Sequence, residues 1–343
     1  MKLSDRQLQI LRAVVEEYRA SGLPVGSRVL ARRGGLELSA ATIRNEMADM
    51  EAMGYLEKPH ASAGRMPTQE GYRLYVDAMI GENRPLSEDE LRTMTDRFRS
   101  VFSETGEVCT AGVDVISRLT GYIGVAVSPS LGETILRRIQ LVRVGRVWSV
   151  AVLVMDTGAV IKEKLSVAES LTDAELERIS DHITGDVAGL RVKDACRQIE
   201  DMGRDAKNTH KPVMRELYTA INRNRNAVET FLGGRDNMWE YPEYQNWRAA
   251  RRLESLLNTR DRLLRLLGRA SDMEFKVSIG AEAAGPDLPD LGVVTSGYTA
   301  GDANAVFGVI GPTRMNYPRV LSVLRSVGQC MSGALGREKT TED

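Results

Sequence analysis

The sequence predicts a multi-domain α+β chain: a small helical unit at the N-terminus, then antiparallel sheet interrupted by a block of helices. Three observations carry this. At 343 residues the chain exceeds one ordinary domain. Up to Ile80, apolar residues recur at helical spacing in short, capped runs. From Tyr122 onward, β-branched runs with Gly and Asp at their joints appear on both sides of a helical stretch, the layout of an α+β domain that holds an insertion. The expected divisions are 1–80, a linker helix over 81–106, a sheet domain built from 107–207 and 271–337, and an inserted helical unit at 208–270.

Each element has a local cause. Ser4 and Gln7 form a capping box, and Leu8, Leu11, Val15 and Tyr18 give the first helix one apolar stripe that Gly22 and Pro24 end. Val25 and Ser27 open a short second helix through Arg33, stopped by Gly34 and Gly35. Ser39 caps a third helix running to Met53, with Gly54 as its left-handed end. Tyr55 to Lys58 reads as a strand, Pro59 to Pro67 as a polar turn, and Thr68 caps a helix through Ile80. Gly81 to Pro85 is a break, and Ser87 with Glu90 starts the linker helix. Strands follow at Tyr122 to Val127, Ile135 to Val144, Val147 to Met155 and Ala159 to Val167, read as one antiparallel sheet with turns at Gly145 and Asp156-Thr157-Gly158. Helices at Thr172 to Gly185 and Val192 to Lys207 precede the helical block, which Phe231 to Trp247 interrupts. Strands return at Glu274 to Glu282, Leu291 to Thr299 and Ala305 to Ile310. A last helix spans Pro318 to Leu335, and Arg337 to Asp343 reads as a disordered tail.

Composition narrows the function classes. With 42% apolar and 27% charged residues the chain reads as soluble and globular. Its longest strongly apolar run, Val147 to Met155, is far short of a membrane span, and the charged, amphipathic N-terminus is not a signal peptide, so the expected compartment is the cytoplasm. Cys109, Cys196 and Cys330 are as scattered as His60, His182 and His210, so neither a disulfide framework nor a metal site is expected. No nucleophile elbow, phosphate-binding glycine loop or HExxH run is present. Catalytic residues and cofactors are therefore expected to be none.

Three short helices followed by a strand and a turn outline a winged helix-turn-helix, whose third helix enters the DNA major groove. Ile43, Met47 and Met50 share one face of that helix and should pack inward. The other face presents Ala41, Asn45 and Ala48, flanked by Thr42, Arg44 and Asp49. Asn45 can bond adenine in bidentate fashion, Arg44 can reach guanine or phosphate, and Ala41 or Thr42 can meet a thymine methyl. Net charge is −1, but Arg28, Arg32, Arg33 and Arg44 face only Glu37 within 28–44, a local basic cluster suited to phosphates. The same outline also fits a helical bundle with a solvated basic face.

Longer runs discriminate. Pro24-Val25-Gly26-Ser27-Arg28, Leu38 through Asp49 (LSAATIRNEMAD), Pro59 through Thr68 (PHASAGRMPT), Gly71-Tyr72-Arg73 and Val309 through Tyr317 (VIGPTRMNY) resemble the second helix, recognition helix, wing and closing signature of the HrcA repressor family. The chain has Asn316 where the family usually has Asp, and Asn caps as well. Leu291-Gly292 stands where the family often shows Cys-Ser. The resemblance implies a repressor of chaperone operons that binds double-stranded operator DNA, an inverted repeat of the CIRCE type, as a homodimer, with the chaperonin as a partner that keeps it active. It implies a GAF-like sheet domain with an inserted helical dimerisation domain, and no membrane association. DNA contacts are then expected at Ser27, Arg28, Ser39, Ala41, Thr42, Arg44, Asn45, His60, Ser62 and Arg65, with Arg28 and Arg65 on phosphates. The aromatic cluster Trp239, Tyr241, Tyr244 and Trp247 is expected at the dimer interface; Glu240 and Glu243 argue against a single-stranded nucleic-acid platform, and a private core under the insertion is the plainer reading. A ligand-sensing regulator acting through the GAF-like domain is the alternative function.

Overall fold

The computed structural model describes residues 3–33, 35–80, 85–101, 104–204, 210–268, 275–301 and 303–336. The expected stop at Gly34, the break at 81–84, the ends of two expected elements near Lys207 and Glu274, and the tail Arg337 to Asp343 lie outside these residues.

The N-terminal unit forms as its capping signals dictate. Helix α1 (Asp5–Ser21) begins with the full Ser4–Gln7 capping box and ends at Gly22, φ 67°. Helix α2 (Ser27–Arg33) and α3 (Ala40–Ala52) follow, then strand β1 (Leu56–Glu57), its antiparallel partner β2 (Met66–Pro67) and α4 (Gln69–Met79). The strand pair is shorter than Tyr55 to Lys58 because the wing leaves the pairing after two residues.

Helix α5 (Glu88–Arg99), capped by the Ser87–Glu90 box, leads into α6 (Thr105–Thr120), a buried helix the sequence reading left unassigned. Strand β3 (Ile123–Val127) enters the central sheet. The chain then departs into a separate lobe: β4 (Leu136–Gly145), β5 (Trp148–Met155), β6 (Val160–Ser166), α7 (Asp173–Val187), α8 (Val192–Arg204) and α9 (Lys211–Asn224). It returns as β7 (Thr230–Gly233), which pairs with β3. Two short 3-10 turns, α10 (Trp247–Asn258), α11 (Arg260–Leu267), β8 (Lys276–Ile279), α12 (Ala281–Ala284), β9 (Leu291–Ala300), β10 (Ala303–Pro312) and α13 (Tyr317–Leu335) complete the chain.

Beyond the wing, the described residues form two sheets, not one. The central sheet is antiparallel in the order β7-β3-β10-β9-β8, and β4-β5-β6 forms its own three-stranded sheet. Alternation along β10 explains the layering. Phe307 and Val309 point into a core shared with α6, α13 and the winged helix, whereas Val306 and Ile310 point into a second core under α10 and α11. A third core lies between the small sheet and α7, α8 and α9. The expected unit at 208–270 is divided: among the described residues of this stretch, α9 packs in the lobe, while β7, α10 and α11 pack on the central sheet, so they do not form one unit. The inserted lobe runs from β3 to β7. Its neck is fastened where Ser128 N donates to Glu229 O at 2.9 Å and Glu229 N to Ser128 Oγ at 2.7 Å.

Candidate nucleic-acid interface

Helix α3 is held by what it buries. Ile43, Met47 and Met50 are fully enclosed against Ile10, Leu11 and Val14 of α1. Glu46, also buried, accepts an ion pair from Arg6 at 2.8 Å, which fixes the roll of α3 against α1. That leaves Ala41, Arg44, Asn45, Ala48 and Asp49 exposed, with Thr42 half-buried. At the helix start, Ser39 Oγ accepts from Thr42 N at 3.1 Å and lies 2.9 Å from Thr42 Oγ1, so two expected contact residues also cap the helix. Small side chains at Ala41 and Ala48 let the backbone approach a groove, with the Asn45 amide and the Arg44 guanidinium between and beside them.

The other expected contact residues lie on α2 and the wing. Ser27 is half-buried and Arg28 exposed on the first turn of α2. Among the described residues Arg28, Arg32 and Arg44 take part in no ion pair, so their charge is uncommitted. The Arg33 side chain lies outside the described residues. In the wing, His60 and Ser62 sit exposed at a turn closed by Ala63 N to His60 O at 3.0 Å. The wing root is pinned to the chain before α2, where Val25 N donates to Arg65 O at 2.8 Å and Arg65 N to Val25 O at 2.9 Å. Gly64 allows this approach: a Cβ there would stand 2.5 Å from the Val25 carbonyl. Gly71 does the same for α4, where a Cβ would meet Tyr55 O at 2.1 Å.

Arg65 has a partner within the chain. Its side chain is 11% exposed and donates to Glu51 at 2.8 Å, tying the wing to the end of α3. An acid fourteen residues upstream, within α3, left no local signal of this pairing.

The aromatic cluster divides. Tyr244 is 1% exposed in the core under α10, with its hydroxyl donating to Asp290 O at 3.1 Å. Tyr241 is half-buried, donates to Gly121 O at 3.2 Å and packs on Tyr122 at 5.4 Å between ring centres. Burial pushes both hydroxyls well above the ordinary tyrosine range. These two serve the chain's own core, as the plainer reading had it; Trp239 and Trp247 remain exposed. The larger uncovered apolar surface lies elsewhere. The helices of the lobe cover one face of β4-β5-β6, and the other presents Val142, Val144, Trp148 and Val160 to solvent, with Val150, Val152 and Val154 between them half-buried. Strand alternation in the sequence contained this face, but both faces of β5 are apolar, Val150, Val152 and Val154 on one and Ala151, Leu153 and Met155 on the other, which hid which was covered.

The winged helix is seated firmly on the central domain. Arg314, in the closing signature, pairs with Glu243, donates to Arg19 O at the end of α1 at 2.9 Å and sits over the Tyr241 ring. Arg73 of α4 donates to Val277 O at 2.7 Å and pairs with Glu282. Tyr72 and Tyr317 meet in a tilted ring contact at 6.5 Å. Arg319 pairs with Glu90, whose carboxyl it holds below the usual range, and Asn316 caps α13 as expected. Burial pushes the Cys109 thiol up to about 12, despite a hydrogen bond shared with the Tyr298 hydroxyl, which leaves it protonated and unreactive at neutral pH. No helix among the described residues is long and apolar enough to cross a membrane.

Comparison with known proteins agrees with this layout. Residues 2–78 match the family described as the winged helix-turn-helix transcription repressor, HrcA DNA-binding, and residues 107–321 match the HrcA protein C-terminal domain. The heat-inducible transcription repressor HrcA of Clostridium perfringens strain SM101 is 35% identical over 329 residues, covering 95% of this chain and 96% of that protein. The protein of the same name from Desulforamulus reducens is 33% identical, covering 98% of this chain and 97% of its own. A crystal structure of a hypothetical protein at 2.2 Å resolution shares the fold, with a TM-score of 0.64 at 23% identity over 97% of this chain and 99% of that one.

Proposed function

The chain belongs to the HrcA family of heat-inducible transcription repressors, and on that premise we propose that it silences chaperone operons by binding an inverted-repeat, CIRCE-type operator as a homodimer in the cytoplasm. The observation that carries the reading is the exposed edge of α3, where Ala41, Arg44, Asn45 and Ala48 stand free while Ile43, Met47 and Met50 anchor the helix. An edge of that kind fits a major groove, with Arg28, Ser39 and the wing residues His60 and Ser62 placed for the flanking backbone.

A two-fold operator calls for two copies. The uncovered valine face of the lobe supports self-association better than the tyrosines at 241 and 244 do, because its valines and Trp148, though interleaved with Lys162 and Lys164, are apolar surface whose exposure to water costs free energy until another surface covers it. In this reading the central sheet is the GAF-like domain, and the lobe between β3 and β7 is the dimerising insertion. The chaperonin enters as a folding partner: its clients increase on heating, and a repressor that depends on it then loses its active form. Footprinting on DNA upstream of chaperonin genes tests the function. Two protected half-sites related by a dyad support it; protection without dyad symmetry, or none, overturns it.

A further inference from the structure

Helix α10 turns Arg248, Arg251 and Arg252 outward, and α11 brings Arg262 beside them. With Trp247 and Leu288 they line a cavity of about 370 Å3 on the side of the central sheet opposite α6 and α13. Arg252 donates to the Asp287 carbonyl at 3.0 Å. Arg248, Arg251 and Arg262 join no ion pair among the described residues, and the one acid of α10, Glu254, is taken by Arg235 at 3.0 Å. Trp247 is 65% exposed, with the Arg248 guanidinium 5.6 Å from its ring centre. In a chain of net charge −1, this is a local concentration of positive field.

Four guanidinium groups gathered about a single carboxylate, that of Asp287, still repel one another, and an oxyanion bridging them removes that repulsion through charge-assisted, bidentate bonds. An indole plate at the rim offers a stacking surface for a planar base. The wall is concave and of small-molecule size, unlike the flat or convex surfaces that meet duplexes and proteins. We propose that α10 and α11 bind a nucleoside polyphosphate, its base on Trp247 and its phosphates on Arg251, Arg252 and Arg262. This goes beyond operator recognition and does not depend on it.

Isothermal titration of the full chain with ATP, tripolyphosphate and adenosine, at about 0.15 M salt, reads the site. ATP should bind saturably, one per chain, and adenosine far more weakly. Arg251→Ala combined with Arg262→Ala should weaken ATP and tripolyphosphate at least about tenfold. Trp247→Ala should weaken ATP severalfold and leave tripolyphosphate unchanged. Arg251→Lys combined with Arg262→Lys keeps the charge without the planar fork and should give an intermediate loss. Unchanged melting temperatures of the free variants show that they are folded. No saturable ATP binding below about 1 mM overturns the proposal. So does an ATP affinity untouched by the arginine substitutions, or adenosine binding as tightly as ATP. A loss of operator affinity in the arginine variants with ATP affinity retained also overturns it, and assigns the face to DNA.

Discussion

At Asn45 a single exposed amide stands between two alanines on the outer edge of α3, so its removal isolates base reading from packing. Asn45→Ala should cost roughly 1–3 kcal/mol of operator binding and leave random-sequence binding unchanged, as gel shifts against both DNAs will show. Arg28→Ala should instead weaken all DNA alike and reduce the salt dependence by about one counterion, measured as the slope of affinity against salt. Arg65→Ala should not alter that slope, because its partner is Glu51. At the wing root, Gly64→Ala places a methyl against the Val25 backbone and should destabilise the N-terminal unit by about 1–3 kcal/mol, read from denaturant unfolding. The buried and exposed faces of α3 were legible in the sequence because helical periodicity alone sorts them. The task of Arg65 was not, since a cation on a wing has the same appearance whether it faces phosphate or a carboxylate.

Elements with strong local signals formed where expected: Ser4, Ser39, Thr68, Ser87, Thr172 and Asn316 all cap the helices that follow them. Elements whose identity depends on distant partners did not show. Strand β7 is four residues long, lacks alternation and exists because β3 offers it an edge. Its absence from the sequence reading moved the insertion from the 128–229 lobe to 208–270. The lobe also carries a testable face. Val142→Glu with Val144→Glu, both at exposed positions, should convert a dimer to monomer in sedimentation, while Trp239→Ala with Trp247→Ala should leave it intact. At the base of the lobe, Lys193 at 3.0 Å and Arg191 at 2.9 Å hold Glu133. They lower its carboxyl below the ordinary 4.5, Lys193 contributing most. A depressed carboxylate stabilises the fold above its unfolded value, and the gain is lost as pH falls through the lower folded value. Glu133→Gln should therefore lower the denaturant midpoint at pH 7 and make no difference at pH well below 4.

Across the whole molecule, sheet order is the governing fact. Ala126 pairs with Phe307, and Gly124 with Gly233, so the central sheet cannot close until the lobe and most of the chain have been made. Closing such long loops precedes the contacts that reward it, which slows folding and leaves apolar strands such as β5 exposed meanwhile. Heat-inactivated protein, cooled, should recover operator binding with chaperonin and ATP and aggregate without them. A tube with ATP alone separates chaperonin action from any direct effect of the nucleotide. Full recovery in every tube would mean that the repressor senses temperature by itself. The two ends of the chain were recognisable from their motifs, while the middle was not, because its organisation is written in pairings rather than in runs.

The seating of the winged helix has one more consequence. Arg314, Arg73 and the Tyr72–Tyr317 contact join it to the central domain, and one continuous core runs from Ile10 to Leu335. Among the described residues these contacts hold the reading head docked on the central domain. In a dimer of such chains the spacer between half-sites becomes a matter of rotational phase. Adding about five base pairs carries the second half-site to the opposite side of the duplex, and a rigid pair of heads cannot follow it. Adding a full turn of about ten restores the facing side but stretches the gap by roughly 34 Å, beyond what docked heads can span. Operators for this protein should therefore tolerate changes of base more readily than changes of spacing.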